Sequence, residues 1–299
     1  MAARNEINTR IPLYARRTLG EKINAAIDFL RQNWRVALRF SIYLLLPLAL
    51  IHSVGLFSFF RSLTNHTYNS VDSGFILSAI ISVVSLILVY TLILTLFQYY
   101  HGSDDGELSM LTFKDVKGQM WFNFKKVLVI VLVILVFVVP ISILMLVLMF
   151  VPFFSMIVFV GYAIIVFILM MAPIHYVFEN INVLGAFGRS FSHARESWGK
   201  LFGLMFALLL VAGIIESVAA LPMMVFVFTS DTLTPSNGVN PAITMTLDII
   251  LYVFLILETF FTYLSMTLVV TTLVFHYGSN TRELDDLAIA SDIENFANL

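Results

Sequence analysis

Glu216 and Glu258 stand in surroundings that make their chemistry conspicuous. Each falls near the middle of a long apolar run, and no Lys or Arg lies in the interior of any such run. A charged side chain at the centre of a bilayer costs roughly 2.5–3.5 kcal/mol on insertion scales. A carboxyl there, with no cation at its depth, invites two readings. It is a proton or cation site, or it is an uncharged group hydrogen-bonding to a neighbouring helix. Glu258, Thr262 and Ser265 share one helix face, with Thr259 adjacent. At 1.5 Å per residue, Glu216 lies ~24 Å and Glu258 ~27 Å from the ends of their runs that are expected to face the cytoplasm, which is a similar depth. Asp248, one turn inside its run, reaches the interface and carries less weight.

The remaining polar candidates sit nearer the ends of the runs. His101, Asp104, Asp105 and Glu107 combine imidazole and carboxylates, which are metal-ligand types. Their spacing matches no metal motif, and solvated loop acids at a helix start account for them. His175 and His193 bracket a loop that carries Arg189 and Arg195 and leads to Lys200. Such a group can contact lipid phosphates, or it can simply be the basic side of a membrane protein. His52 and His276 read as interfacial, and Asn65-His66-Thr67 fits a glycosylation pattern that recurs by chance.

There is no Gly-rich phosphate loop, nucleophile elbow, His-Glu-x-x-His string or nucleic-acid-type basic tract. The chain has no cysteine, which removes disulfides, iron–sulfur clusters and thiol catalysis. The expectation is a protein without metal or cofactor, without nucleic acid as a partner, and not an enzyme.

These residues are positioned by a chain that is 60% hydrophobic and 12% charged over 299 residues. A soluble domain carries about 25% charged residues. Six continuous apolar runs cover 37–60, 74–99, 127–150, 153–177, 201–228 and 243–276. Each exceeds the ~20 residues that cross ~30 Å of hydrocarbon. Continuous rather than alternating hydrophobicity selects helices over a barrel. The third and fourth runs adjoin, but 127–177 as one helix would be ~76 Å long, so a turn is placed near Pro152 rather than Pro140. A basic lead covers 1–36 and an acidic tail covers 277–299, whose Arg282–Leu299 stretch reads as a surface helix or as unstructured. No cleavable signal peptide is expected, because the first run is too long and lies behind the basic lead.

Sixteen of the seventeen Lys and Arg fall before run one or at its very start (Arg39), between runs two and three, between four and five, or after six, and Arg61 is the exception. By the positive-inside rule both termini are cytoplasmic. Trp34, Trp121 and Trp198, the three tryptophans, each precede an odd-numbered run. An amphipathic stretch leads into each. The first carries Ile23, Ile27, Leu30 and Trp34. The second carries Phe113, Val116, Met120 and Phe124. The third carries Val183, Phe187, Phe191, Ala194 and Trp198. Thr112 followed by Asp115 resembles a helix start. The pattern suggests three units, each an amphipathic helix followed by a two-span hairpin. Interfacial preference of Trp is the alternative, though it leaves the one-sided placement unexplained.

Within Glu179–Val211, Glu179, Ala186, Arg189, Ser190, Trp198 and Lys200 follow Pro173 in an acid, Ala, Arg-Ser, aromatic, basic order. This segment resembles the multi-span membrane domain attached to some glycerophosphodiester phosphodiesterases, and related stand-alone inner-membrane proteins. The resemblance implies a six-span bacterial inner-membrane protein. The phosphodiesterase's catalytic barrel is absent, so none of its chemistry follows.

The expected architecture is therefore an all-α polytopic membrane helical bundle with six transmembrane helices and N-in/C-in topology. Three cytoplasmic amphipathic helices precede spans 1, 3 and 5. The expected role is envelope or lipid homeostasis through binding membrane lipid or a partner, which includes a further copy of the chain. Arg189, Arg195, Lys200, Trp34, Trp121 and Trp198 are the headgroup candidates. The alternative is a proton- or cation-coupled transporter using Glu216, Glu258, Thr262 and Ser265.

Overall fold

The computed structural model describes residues 10–64, 73–102, 108–148, 152–233 and 241–297. Asn65-His66-Thr67, and Asp104, Asp105 and Glu107, lie outside the described residues. The described residues form helices and connecting turns without strands. In order they are α1 (Leu19–Gln32), α2 (Trp34–Thr64), α3 (Ser73–Gly102), α4 (Phe113–Leu148), α5 (Pro152–Leu169), α6 (Ala172–Phe178), α7 (Val183–Leu233) and α8 (Pro241–Ala297). Six stretches are long and apolar enough to cross a membrane: Trp34–Ser62, Ser73–Gly102, Phe113–Met145, Met156–Phe178, Ser197–Val227 and Ala242–Glu283.

Side chains such as Ile143, Val147, Met156, Ile214, Val218 and Met245 stand exposed along these helices. A water-soluble monomer rarely carries so much contiguous apolar surface. In a multi-pass membrane protein that surface faces lipid.

Two compact units divide the chain. The first comprises Met1–Val36, Ile93–Met205 and Thr271–Leu299. Its core is aromatic. Phe29 of α1 stacks on Phe97 of α3 at 4.3 Å and meets Tyr100 and Phe275 edge-on. α1 starts with a capping box, in which the Thr18 amide donates to Glu21 and the Glu21 amide donates to the Thr18 hydroxyl. It stops at Asn33, whose backbone and side-chain N–H groups both reach the Phe29 carbonyl at 3.0 Å. The face it buries is Lys22, Ala25, Ala26 and Phe29. Ile27 and Trp34 remain exposed, and Ile23 and Leu30 are half-buried. The face of Lys22, Ala25, Ala26 and Phe29, rather than the Ile stripe, seats this helix.

Residues 10–18 run over the same unit as a strap. The Arg10 guanidinium donates to the His101 carbonyl, Ile11 N–H to the Tyr100 hydroxyl at 2.9 Å, and Arg17 N–H to the Ser279 hydroxyl at 3.1 Å. Leu13 is buried against Gly278, where a Cβ would collide with the Leu13 carbonyl.

α4 begins where Thr112 N–H and Oγ1 donate to Asp115 Oδ2 at 2.8 and 2.6 Å. Its amphipathic lead runs into the apolar part without a break, and Pro140 lies inside it. α4 ends at Leu148 and α5 starts at Pro152. The Asn123 amide donates to Thr95 and Gln98 at 2.9 and 2.7 Å, tying α4 to α3. Such side-chain bonds are favoured between helices in lipid.

The fourth run differs from a single uninterrupted helix. It breaks at Met170–Met171, because Pro173 occupies an early position of α6 and cannot continue a preceding helix. Asn180 then takes a left-handed turn, φ 52°, a conformation that Asn tolerates well. α7 carries the third amphipathic lead and its apolar part as two helices that meet at a kink at Ser197, where the backbone is not helical (φ −138°, ψ 28°). α8 continues as helix through the acidic tail to Ala297.

The second unit comprises Ala37–Leu92 and Phe206–Val270. Here α2 and α3 cross on small residues. A Cβ on Gly74 would lie 2.6 Å from the Gly55 carbonyl, and one on Gly55 would lie 2.6 Å from Ser78 Oγ. Close backbone approach of this kind is a hallmark of helix packing in lipid. α2 meets α8 through Tyr252, whose hydroxyl donates to the Leu50 carbonyl at 2.9 Å, and through Ser53, which donates to Thr259 at 3.4 Å. Arg61 pairs with Asp248 at 3.1 Å, which accounts for that acid inside its run.

Candidate functional site

Within the second unit, α7 and α8 bring the two intramembrane carboxyls into one neighbourhood. Ser265 Oγ donates to Glu216 Oε1 at 2.7 Å, and Glu258 lies within electrostatic reach of Glu216. The same hydroxyl also contacts the Thr262 backbone carbonyl at 2.9 Å. A hydroxyl has one proton, so it serves one acceptor at a time. The Thr262 side chain is half-buried, as are Glu216 and Glu258, while Ser265 is buried.

A second polar set in this unit joins His52 to α3 and α8, contacts that the sequence did not signal. His52 lies inside α2, with Nδ1 2.7 Å from the Tyr263 hydroxyl and Nε2 3.4 Å from Ser82 Oγ. Ring contact at 6.0 Å holds His52 and Tyr263 nearly parallel. The signal in the sequence was weak, because a lone His near the end of an apolar run looks the same whether it faces headgroups or a partner helix.

The first unit holds the richer cluster. His276 is buried, 1% exposed. Its Nδ1 lies 3.0 Å from Lys22 Nζ, and its Nε2 lies 3.2 Å from Asn280 Nδ2. A neutral ring accepts at only one nitrogen, so one neighbour must yield. Either Asn280 turns its amide oxygen to the ring, or Lys22 gives up its proton. Asn280 Oδ1 is buried without a partner among the described residues. Lys22 is 3% exposed, and its pKa is pushed down from 10.5 to about 8. Burial is the main cause, with Lys200 and Arg17 adding repulsion against the pull of Glu283.

His175 and His193 are also buried, so of the two readings of this group their own side chains do not fit contact with lipid phosphates. Their rings meet at 4.6 Å, and His175 meets Tyr277 at 5.0 Å. Glu179 Oε1 lies 2.8 Å from His175 Nδ1, and Glu179 Oε2 pairs with Arg189 at 3.3 Å. The loop acid therefore anchors a buried ring on one side and an exposed guanidinium on the other. His175 Nε2 is buried and has no partner among the described residues. No group of three or more His, Asp or Glu among the described residues is arranged to hold a metal ion.

Of the other headgroup candidates, Arg195 is exposed, and Lys200 donates to both Glu283 oxygens at 2.7 and 2.9 Å. Trp34, Trp121 and Trp198 are 54, 58 and 60% exposed. Arg35 lies over the Trp34 ring at 5.6 Å, and Lys125 over the Trp121 ring at 5.2 Å. Comparison with protein families, with curated proteins and with solved structures gives no match to this chain.

Proposed function

We propose that this chain is a non-enzymatic, multi-pass protein of a bacterial inner membrane, acting in envelope or lipid homeostasis by binding lipid or a protein partner. Both termini lie in the cytoplasm in this reading, and the three Trp-bearing leads lie along the cytoplasmic leaflet. The carrying observation is the exposure of all three tryptophans, two of them beside a cation, at the starts of α2 and of the apolar parts of α4 and α7. An exposed indole with a neighbouring cation suits the headgroup layer, where one end of the ring is apolar and the other wet. The resemblance of Glu179–Val211 to the stand-alone inner-membrane proteins points the same way. Native mass spectrometry of the full chain, released gently from its membrane, tests the reading. Selective co-purification of one phospholipid class or one protein is expected. Release of the bare chain with no bound lipid or protein contradicts it.

A second reading has its own observation. The hydrogen bond of Ser265 to Glu216, with Glu258 nearby, is a pair of carboxyls and a hydroxyl at one depth in an apolar segment. That arrangement suits proton or cation coupling. Proteoliposome flux in the wild type and in Glu216→Gln and Glu258→Gln tests it. Equal flux in all three, or none in the wild type, removes it.

A further inference from the structure

We propose that a cavity beside the start of α1, lined by Arg16, Arg17, Lys22 and Lys200, binds the phosphate group of an anionic ligand. The cavity measures about 420 Å³ and also borders Thr18, Glu21 and Glu283. That volume falls in the range of small-ligand sites. Four cations face two carboxylates, and both carboxylates are already engaged. Glu21 accepts from the Thr18 amide at 2.7 Å, and Glu283 accepts from Lys200. The excess is therefore positive.

Two of the cations are fixed in place. Arg17 donates to the Leu13 carbonyl at 3.2 Å and to the Pro12 carbonyl, and its guanidinium lies 5.0 Å from the Phe275 ring centroid. Lys22 comes from the buried face of α1, and the one hydrogen bond its ammonium makes among the described residues goes to His276. An ammonium has three donors. A buried cation next to other cations is costly unless an anion joins it. Burial pushes both Arg17 and Lys22 below their ordinary pKa values, the tendency that a bound anion would reverse. The partial positive charge at the start of α1 adds to the same field.

Phosphate is the class that fits. Its several oxygens accept from guanidinium and ammonium groups together, and charge-assisted bonds of that kind are the strong ones. Trp198 is exposed two residues before Lys200, and an exposed indole suits the headgroup layer. The ligand's source rests on the lipid-binding reading, whereas the cavity's chemistry stands apart from it. A phospholipid headgroup and free phosphate share that chemistry.

The full chain in neutral detergent is titrated with phosphatidylglycerol, with phosphatidylcholine and, separately, with inorganic phosphate. Bound lipid is counted by native mass spectrometry, and phosphate binding is read as a thermal shift. Arg16→Gln combined with Lys200→Gln is compared with Lys114→Gln combined with Lys117→Gln, whose side chains lie outside the cavity. Arg16→Gln alone serves as a second variant, because it leaves the Lys200–Glu283 pair intact.

The expected result is saturable binding of phosphatidylglycerol in preference to phosphatidylcholine. The cavity variants should weaken it by about tenfold and the distant pair should not. Saturable phosphate binding lost in the cavity variants, with no lipid preference, upholds the site while removing the lipid reading. A lipid preference that survives the cavity variants overturns the site and leaves the lipid reading intact. Absence of anion binding in both arms also overturns the site.

Discussion

Replacing Lys22 by Met turns the buried ammonium into a measurable quantity. Lys22 is held at about 8, against 10.5 for the ordinary side chain, by burial and by Lys200 and Arg17, with Glu283 opposing and His276 as its hydrogen-bond partner. Between those two pH values the unfolded chain keeps a proton that the folded chain has released. Stability therefore rises with pH from about 8 towards 10.5, and is level below about 8 with respect to this group. By pH 9.5 the rise is worth roughly 2 kcal/mol, at 1.36 kcal/mol for each pH step above the folded value. In a chain of this size that corresponds to on the order of 5 °C in Tm. Lys22→Met has nothing to titrate, and its Tm should stay flatter by that amount between pH 7.5 and 9.5.

At pH 7 the variant should match the wild type or exceed it, because an apolar side chain of similar length replaces a buried charge. Thermal unfolding of both proteins in the same neutral detergent, with buffer pH as the only variable, reads the difference. Identical pH slopes would refute the reasoning, because they would mean that Lys22 keeps an ordinary affinity for its proton. Saturating a phosphate ligand should shrink the wild-type slope, since an anion beside Lys22 restores its charge.

Gly74→Ala forces a methyl to within 2.6 Å of the Gly55 carbonyl, whereas Gly213→Ala meets nothing within 4 Å. The first should lose about 1–3 kcal/mol of stability, as overpacked sites do, and the second should change little when both are melted side by side. Ser265→Ala removes the hydroxyl that serves Glu216, and a loss of about 0.6 kcal/mol in unfolding free energy is expected for a single interhelical bond in lipid. Brominated lipids should quench the fluorescence of the three tryptophans most when the bromine lies near the glycerol level. Quenching that is greatest for bromine at the bilayer midplane would contradict their interfacial placement.

Much of the helical architecture was legible, for a physical reason. A span must satisfy its backbone internally and offer apolar side chains for about 30 Å, so Gly74–Tyr99 or Leu201–Phe228 announces itself by length and composition alone. Contacts between helices were not legible. Gly55 and Gly74 look like ordinary residues in apolar runs until α2 and α3 are known to cross there. Lys22 read as one more basic residue of the lead, because nothing local says that its neighbours Ala25 and Ala26 form the buried stripe. His175 and His193 are far in the chain from His276 and Tyr277, as Lys22 is, and only folding brings His175 against Tyr277 and Lys22 against His276. The Met170–Met171 break follows from Pro173, but a proline within an apolar run signals a kink, a break or nothing at all, and packing decides which.

The chain's lack of cysteine makes the central claim directly measurable. Single cysteines placed at Ser73, Lys117 and Arg195, all exposed, can be probed in intact cells with a membrane-impermeant maleimide and again after the membrane is opened. A protein crossing the bilayer six times with its basic segments inside should label at Ser73→Cys from outside, and at Lys117→Cys and Arg195→Cys only once the membrane is breached. Labelling of Lys117→Cys and Arg195→Cys from opposite sides, or of all three without breaching the membrane, would contradict it.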